Sequence, residues 1–203
     1  MARNAYIETP SIVMAVELED AKSHLRVVQN DDDEYIQTLC FAAQQTVEKY
    51  CNILLLRTTV IQRGDTFGDI GELYFSPVEN SGEGTLTHIK YYDADDVLQT
   101  WAATNYNFDN FSCPMRIGLA PISGADIPGI ARKLNAVEVK YEVGYSTAAE
   151  IPKALKQAIL ILVGQWYENR QVAVVGRSVG VIPMTAQYLM DKYRIRTLGY
   201  PTC

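Results

Sequence analysis

Residues 176–180 are the part of the sequence whose residue types come nearest to a reaction centre. They read G-x-S-x-G, the pattern in which α/β-hydrolases hold a nucleophilic serine at a sharp strand-to-helix turn. That fold places an acid and then a histidine after the serine, but the only histidines, His24 and His88, both precede Ser178. Pro183 also delays any helix that should follow the turn directly. The pattern therefore indicates a glycine-containing loop, and we predict that the protein is not an enzyme.

The remaining polar side chains predict no metal and no cofactor. Neither histidine has a second histidine or a cysteine at ligand spacing, and the four cysteines contain no C-x-x-C pair. The acidic run at residues 31–34 lacks the alternating oxygens, the glycine and the closing glutamate of a calcium loop. Because a helical pattern follows it, we expect these carboxylates to cap a helix and favour its dipole. Free thiols are typical of a protein assembled in a reducing cytosol.

The strongest helical pattern lies between Lys153 and Arg170, in the sequence KALKQAILILVGQWYENR. Pro152 suits the first turn of a helix, and no further proline interrupts the turns that follow. Apolar residues recur at helical spacing on one face, and Leu160 and Ile161 widen this apolar stripe. Such a helix must be covered on more than one side, either by its own domain or by a neighbouring subunit.

The whole pattern predicts an α+β fold, in which an antiparallel β lobe is inserted into a helical core of about four helices. Helical spacing also covers residues 18–26, 32–51 and 184–194. From 54 to 145 the period changes to two, with short strands that include 73–75 and a turn at Asp93, Asp95 and Asp96. The predicted divisions are an N-terminal arm (1–16), N-terminal helices (17–53), the β lobe (54–147), C-terminal helices (148–196) and a C-terminal tail (197–203).

Composition and charge exclude several classes of protein. The chain has 203 residues, of which 48% are hydrophobic, so it can bury a sizeable core. Its formal net charge is −6, and its lysines and arginines are scattered, which argues against wrapping nucleic acid. The longest apolar run, 158–164, is far shorter than the ~20 residues that span a bilayer. No basic segment leads into an apolar one at the N-terminus, so we expect neither export nor a membrane anchor.

Three blocks of sequence, taken in order, resemble one protein family. LEDAKSHLRV at residues 18–27 is followed by DDDE, which opens a helix ending in VEKY, and ALKQAILILVGQWYENR closes the series. Their order and spacing resemble the head–tail connector, or adaptor, proteins of long-tailed bacteriophages. SPV at 76–78, IKYYD at 89–93 and YNFD at 106–109 resemble the strands inserted in larger members. Residues 79–84 form an added loop relative to that pattern.

The resemblance implies a structural protein of the virion neck, assembled in the host cytoplasm as a closed homo-oligomeric ring of about a dozen copies. Such a ring would lie below the portal protein and carry the next connector or the tail terminator protein. DNA would pass through its lumen without specific binding. We expect a subunit interface at Trp166, Tyr167 and Arg170, because aromatic and arginine side chains are enriched at interfaces. We expect the portal to contact a C-terminal group, Tyr188, Tyr193, Arg194, Arg196 and Tyr200.

Two alternatives remain at this point. Trp166 can be an ordinary core residue that the tyrosines cover. The protein can also be an intracellular ligand-binding or regulatory module with a pocket in its β lobe. An enclosed cavity with convergent polar groups would favour that module, whereas a connector should present flat, extended surfaces.

Overall fold

The helical patterns of the sequence become four helices in the described part of the chain. The computed structural model describes residues 4–9, 11–75, 84–119, 126–170 and 182–195. The helices are α1 (Leu18–Leu25), α2 (Asp33–Cys51), α3 (Lys153–Glu168) and α4 (Met184–Asp191). They build one of two compact units, here called the helical unit, from Ile12–Leu55 and the region that begins at Thr147. None of the described helices is both long and apolar enough to cross a lipid bilayer.

Helix α3 is the centre of the helical unit, because it packs against α1, α2 and α4. Its apolar stripe follows the predicted spacing, and the members of that stripe with almost no exposed surface are Leu155, Ala158, Ile159, Leu162 and Val163. Leu160 and Ile161, which point away from this stripe, are only half-buried, and so is Trp166, which continues the stripe at the C-terminal end of α3. The helical unit therefore covers most of one face of α3 and leaves the flank that carries Leu160 and Ile161 partly open.

The acidic run at the start of α2 agrees only partly with the prediction, because Asp33 and Glu34 lie in the first turn but no side-chain cap forms. Asp32 precedes the helix but makes no side-chain capping hydrogen bond. Asp33 instead forms a 2.8 Å ion pair with Lys22, whose ammonium also donates to Asn30 at 2.6 Å. Because Lys22 is only 5% exposed, this charged pair holds α1 against the first turn of α2. The carboxylates serve long-range contacts that the local pattern does not reveal.

The second unit, here called the β unit, contains the first eleven residues and Leu56–Ser146. Its described strands are β1 (Asn4–Thr9), β2 (Thr58–Gly64), β3 (Thr85–Tyr92), β4 (Leu98–Trp101), β5 (Asn107–Asp109), β6 (Arg116–Gly118) and β7 (Val137–Val143). Five of them form one antiparallel sheet in the order β1-β2-β7-β3-β4, and β5 pairs with β6. Together with the helices, this sheet confirms the predicted α+β class. Strand β1 lies within the segment predicted as an arm.

Burial in the sheet alternates as a pattern with a period of two requires. In β7 the residues Val137, Val139, Tyr141 and Val143 are buried, while the residues between them are half-buried. The Tyr141 hydroxyl accepts a hydrogen bond from the backbone N–H of Phe75 at 3.2 Å. Strand β7 is therefore the central strand over which the core of this unit forms.

Two local expectations for the β unit have different outcomes. The turn between β3 and β4 is confirmed, because the Asp93 carboxylate accepts from the backbone N–H groups of Asp95 and Val97, each at 3.0 Å. Asp96 in that turn adopts a left-handed φ of 61°. The strand predicted at 73–75 is wrong. Near it, one isolated β-bridge forms between Glu72 and Arg116. The side-chain amide of Gln62 binds the Glu72 carbonyl and the Tyr74 N–H, so these backbone groups do not pair with another strand.

Candidate assembly surfaces

The C-terminal end of α3 carries a cluster of two tyrosines, an arginine and an aspartate. The Tyr167 hydroxyl donates to Asp32 Oδ2 at 2.7 Å, and the Arg170 guanidinium donates to the same oxygen at 2.9 Å. The guanidinium also lies over the rings of Tyr35 and Tyr167, at 4.6 and 5.0 Å from their centroids. Charge-assisted hydrogen bonds and cation–π contacts therefore join the end of α3 to the start of α2.

The electrostatics of this cluster fix its protonation. The hydrogen bond from Tyr167 lowers the pKa of Asp32, and the same bond raises the pKa of Tyr167. Both shifts favour an ionised carboxylate and a protonated phenol at neutral pH. The cluster therefore holds the end of α3 and the start of α2 together. Two predicted interface residues, Tyr167 and Arg170, are thus engaged within their own helical unit, and Trp166 beside them is half-buried.

The predicted portal-binding group divides at residue 195. Arg194 stacks on Tyr50 at 4.8 Å, the Tyr50 hydroxyl donates to Asp191 at 2.8 Å, and the backbone N–H of Ile195 donates to the Cys51 carbonyl. The Asp191 hydrogen bond raises the pKa of Tyr50, so this phenol stays protonated at neutral pH. These contacts fix α4 and the residues after it on the end of α2.

Tyr188 is the predicted contact that the helical unit leaves most open. Its ring is 67% exposed, and the Lys192 ammonium lies 5.2 Å from the ring centroid. Tyr193 is half-buried. Arg196, Tyr200 and the G-x-S-x-G segment lie outside the described residues.

Among the described residues, the histidines and the buried cysteines do not come together as a reaction centre. Within the described ranges, no three histidine, cysteine, aspartate or glutamate residues come together in a way that could hold a metal ion. Burial raises the pKa of the Cys40 thiol to about 11 and that of Cys51 to about 12, so both are poor nucleophiles at neutral pH. Burial is also the main cause that lowers the pKa of His88, whose Nε2 lies 3.8 Å from Glu138.

The β unit has a cleft, which the alternative of a ligand-binding module anticipated in this lobe but whose lining residues the sequence did not indicate. It has a volume of about 420 Å³, and among its lining residues are the cations Arg63, Lys90 and Lys133 and the carboxylate Glu138. The Arg63 guanidinium is 2.8 Å from that carboxylate, and Lys133 pairs with Asp96 at 2.5 Å. The three cations come from distant parts of the sequence, and the antiparallel sheet brings them together. No local sequence motif could therefore have predicted this group of cations.

Comparison with known proteins gives a family and a fold. The family model described as "Phage gp6-like head-tail connector protein" matches residues 15–75 and 130–194, which is more than half of the chain. No curated protein matches the sequence significantly.

Among solved structures, the chain is similar to one from the virion of a native gene transfer agent (GTA) particle, with a TM-score of 0.73 and 22% identity, over 97% of this chain and 98% of that one. It is also similar to a chain from the neck of an empty GTA particle computed with C6 symmetry, with a TM-score of 0.71 and 21% identity. A third similar chain comes from the neck of a native GTA particle computed with C12 symmetry, with a TM-score of 0.67 and 21% identity. The last two matches each cover 98% of this chain and 99% of the other.

Proposed function

The chain belongs to the phage gp6-like head–tail connector family, and from this premise we propose that it forms a homo-oligomeric ring below the portal of a tailed phage or phage-like particle. Its role is that of a structural connector in the virion neck. The single observation that carries this role is the family match, which includes residues from all four helices of the helical unit. The ring extends the DNA channel and offers a docking surface to the next connector or the tail terminator protein.

Ring formation is supported by the incompletely covered flank of α3. Leu160 and Ile161 are half-buried on this flank, and half-buried apolar surface there suits a second chain. In a ring built by rotation, each subunit uses two different patches, one toward each neighbour. Tyr167 and Arg170 already bind Asp32. They therefore act in this interface by fixing the end of α3, and Trp166 with the open flank makes the apolar contact.

Portal binding is proposed for α4 and the residues that follow it. Tyr188 supplies an exposed aromatic ring on a helix that is anchored through Asp191, Arg194 and Ile195. An aromatic side chain on a fixed backbone binds with little loss of entropy. Tyr193, Arg196 and Tyr200 complete the proposed group.

DNA passes through the proposed ring without specific binding, and the ring does no chemistry. The net charge of −6 gives a protein that repels phosphate on average. Replacing Ser178 by alanine should leave particle assembly and infectivity intact, because no histidine follows it to activate a hydroxyl. Loss of infectivity by a folded, assembled Ser178→Ala protein would contradict the non-enzymatic role.

Portal binding is tested with two matched aromatic substitutions. Tyr188 and Phe111 are 67% and 66% exposed, and they belong to different units. Tyr188→Ala should weaken binding to isolated portal by ~10-fold or more, as for an interface anchor, while Phe111→Ala should leave it unchanged. Binding is measured by surface plasmon resonance, and circular dichroism checks the fold. The opposite pattern would move the portal contact to the β unit.

The ring itself is tested by native mass spectrometry and electron microscopy of the wild-type chain, alone and with portal. We expect a ring, or a monomer that becomes a ring on portal. A stable dimer under both conditions would refute the proposal.

A further inference from the structure

The cleft of the β unit keeps one positive charge without a partner. Arg63 and Lys133 are paired with Glu138 and Asp96, and the Lys133 ammonium lies 3.1 Å from the centroid of the Tyr92 ring. Lys90 lines the same cleft, and its ammonium has no hydrogen-bond or ion-pair partner among the described residues. An anion that enters the cleft would therefore meet the unpaired ammonium of Lys90, with the paired cations Arg63 and Lys133 beside it.

The rim of this cleft is apolar. Leu134 is 78% exposed and Leu98 is 50% exposed, and both line the cleft, while the neighbouring Val97 is 52% exposed. Leucines beside cations are typical of a protein–protein interface, where an apolar contact and a charged contact are made together. They give no advantage to binding a phosphate backbone.

The same chain presents a surface of complementary chemistry. Residues 17–34 contain seven carboxylates, against the two cations Lys22 and Arg26. Asp31 and Glu34 are exposed and have no side-chain partner among the described residues, and Val28 close to them is 91% exposed. An exposed valine beside free carboxylates matches the leucine rim and the free ammonium of the cleft.

We propose that the β-unit cleft of one copy receives the Val28–Glu34 segment of the neighbouring copy. Lys90 meets Asp31, and Leu134 and Leu98 cover Val28. This contact rests on the ring proposed above, since a heterologous interface needs two different patches on one chain, one for each neighbour. Charge complementarity of this kind sets which surfaces meet and speeds their association.

A charge-swap experiment tests this contact. Lys90→Glu and Asp31→Lys, each alone, should raise the protein concentration needed for half-maximal ring formation by ~10-fold, because each places like charges together. A chain that carries both substitutions restores opposite charges at every interface, so its assembly should return to within about threefold of the wild type. Sedimentation velocity and native mass spectrometry measure the ring fraction, at low salt and on portal if portal is required.

Two further variants separate the contact from general effects. Arg57→Glu changes an exposed cation of the β unit that lies outside the cleft, and should leave assembly unchanged. Leu134→Ser removes the apolar rim without a charge change and should weaken assembly by ~10-fold. Because Leu134 is 78% exposed, this variant is expected to fold even if Lys90→Glu does not.

The outcomes are distinct. Wild-type-like rings from Lys90→Glu, Asp31→Lys and Leu134→Ser would overturn the contact and leave the connector ring in place. Failure of the double variant to recover, with its fold intact, would also overturn the pairing. Loss of DNA oligonucleotide binding by Lys90→Glu with normal rings would assign the cleft to nucleic acid instead. Absence of any wild-type ring, alone or on portal, would refute the proposed function itself.

Discussion

Shortening two leucines of α3, in turn, should separate the fold of the helical unit from its assembly. Leu162 has no exposed surface, whereas Leu160 is half-buried on the open flank of the same helix. Both substitutions to alanine remove the same atoms, so any difference between them reflects their surroundings. At a fully buried site this change costs about 2–5 kcal/mol, partly because a cavity remains.

For Leu162→Ala we therefore expect a loss of ~3 kcal/mol in the free energy of unfolding. In a chain of this length, that corresponds to a fall in Tm of roughly 6–12 °C. For Leu160→Ala we expect ~1 kcal/mol, since only part of the side chain is removed from water in the monomer. Thermal and denaturant unfolding, followed by circular dichroism, measure both values.

Assembly should show the reverse order. At a temperature where both variants are folded, Leu162→Ala should form rings like the wild type, and Leu160→Ala should need a ~10-fold higher concentration. Equal losses of stability would show that the helical unit buries Leu160 by itself. That result would refute the inference that the flank of α3 is open for a second subunit.

Three other predictions concern single groups. Burial raises the pKa of the Glu48 carboxyl, so the wild-type protein loses stability as pH rises through the folded pKa of this group. Glutamine cannot ionise, so the Tm of Glu48→Gln minus the Tm of the wild type should increase from pH 4 to pH 8. A constant difference would contradict this prediction. Cys40 and Cys51 should resist maleimide labelling until the protein unfolds, and rapid native labelling, mapped by mass spectrometry, would show that they are accessible. Gly144 has a φ of 108°, and a Cβ there would lie 2.3 Å from the Leu56 carbonyl oxygen, so Gly144→Ala should cost ~2 kcal/mol or more in denaturant unfolding.

The elements that follow from local periodicity were predictable. The apolar stripe of α3 and the turn at Asp93 depend on residues a few positions apart, and both agree with the structure. The resemblance to head–tail connectors also holds, because it rests on blocks that the family model covers.

Features that depend on distant partners were not predictable. Asp32 was expected to contribute to helix capping, but its carboxylate binds Tyr167 and Arg170, more than 130 positions away along the chain. Strand β1 pairs with β2, but the sequence near β1 does not indicate which strand it will pair with. The cleft has the same origin, since Lys90 and Lys133 meet only when β3 and β7 lie side by side in the sheet.

The interleaving of the two units has a consequence for the order in which a newly made chain can fold. Strand β7 is the central strand of its sheet, but it is synthesised after β1, β2, β3 and β4. The sheet cannot be completed before β7 is made, because β7 lies between β2 and β3. Helices α1 and α2 cannot pack against α3 until α3 has emerged from the ribosome, which is later still. The flank of α3 and the exposed ring of Tyr188 are thus translated after the strands of the sheet and after α1 and α2. A nascent chain therefore presents these proposed contact surfaces only after the elements that support them have been made.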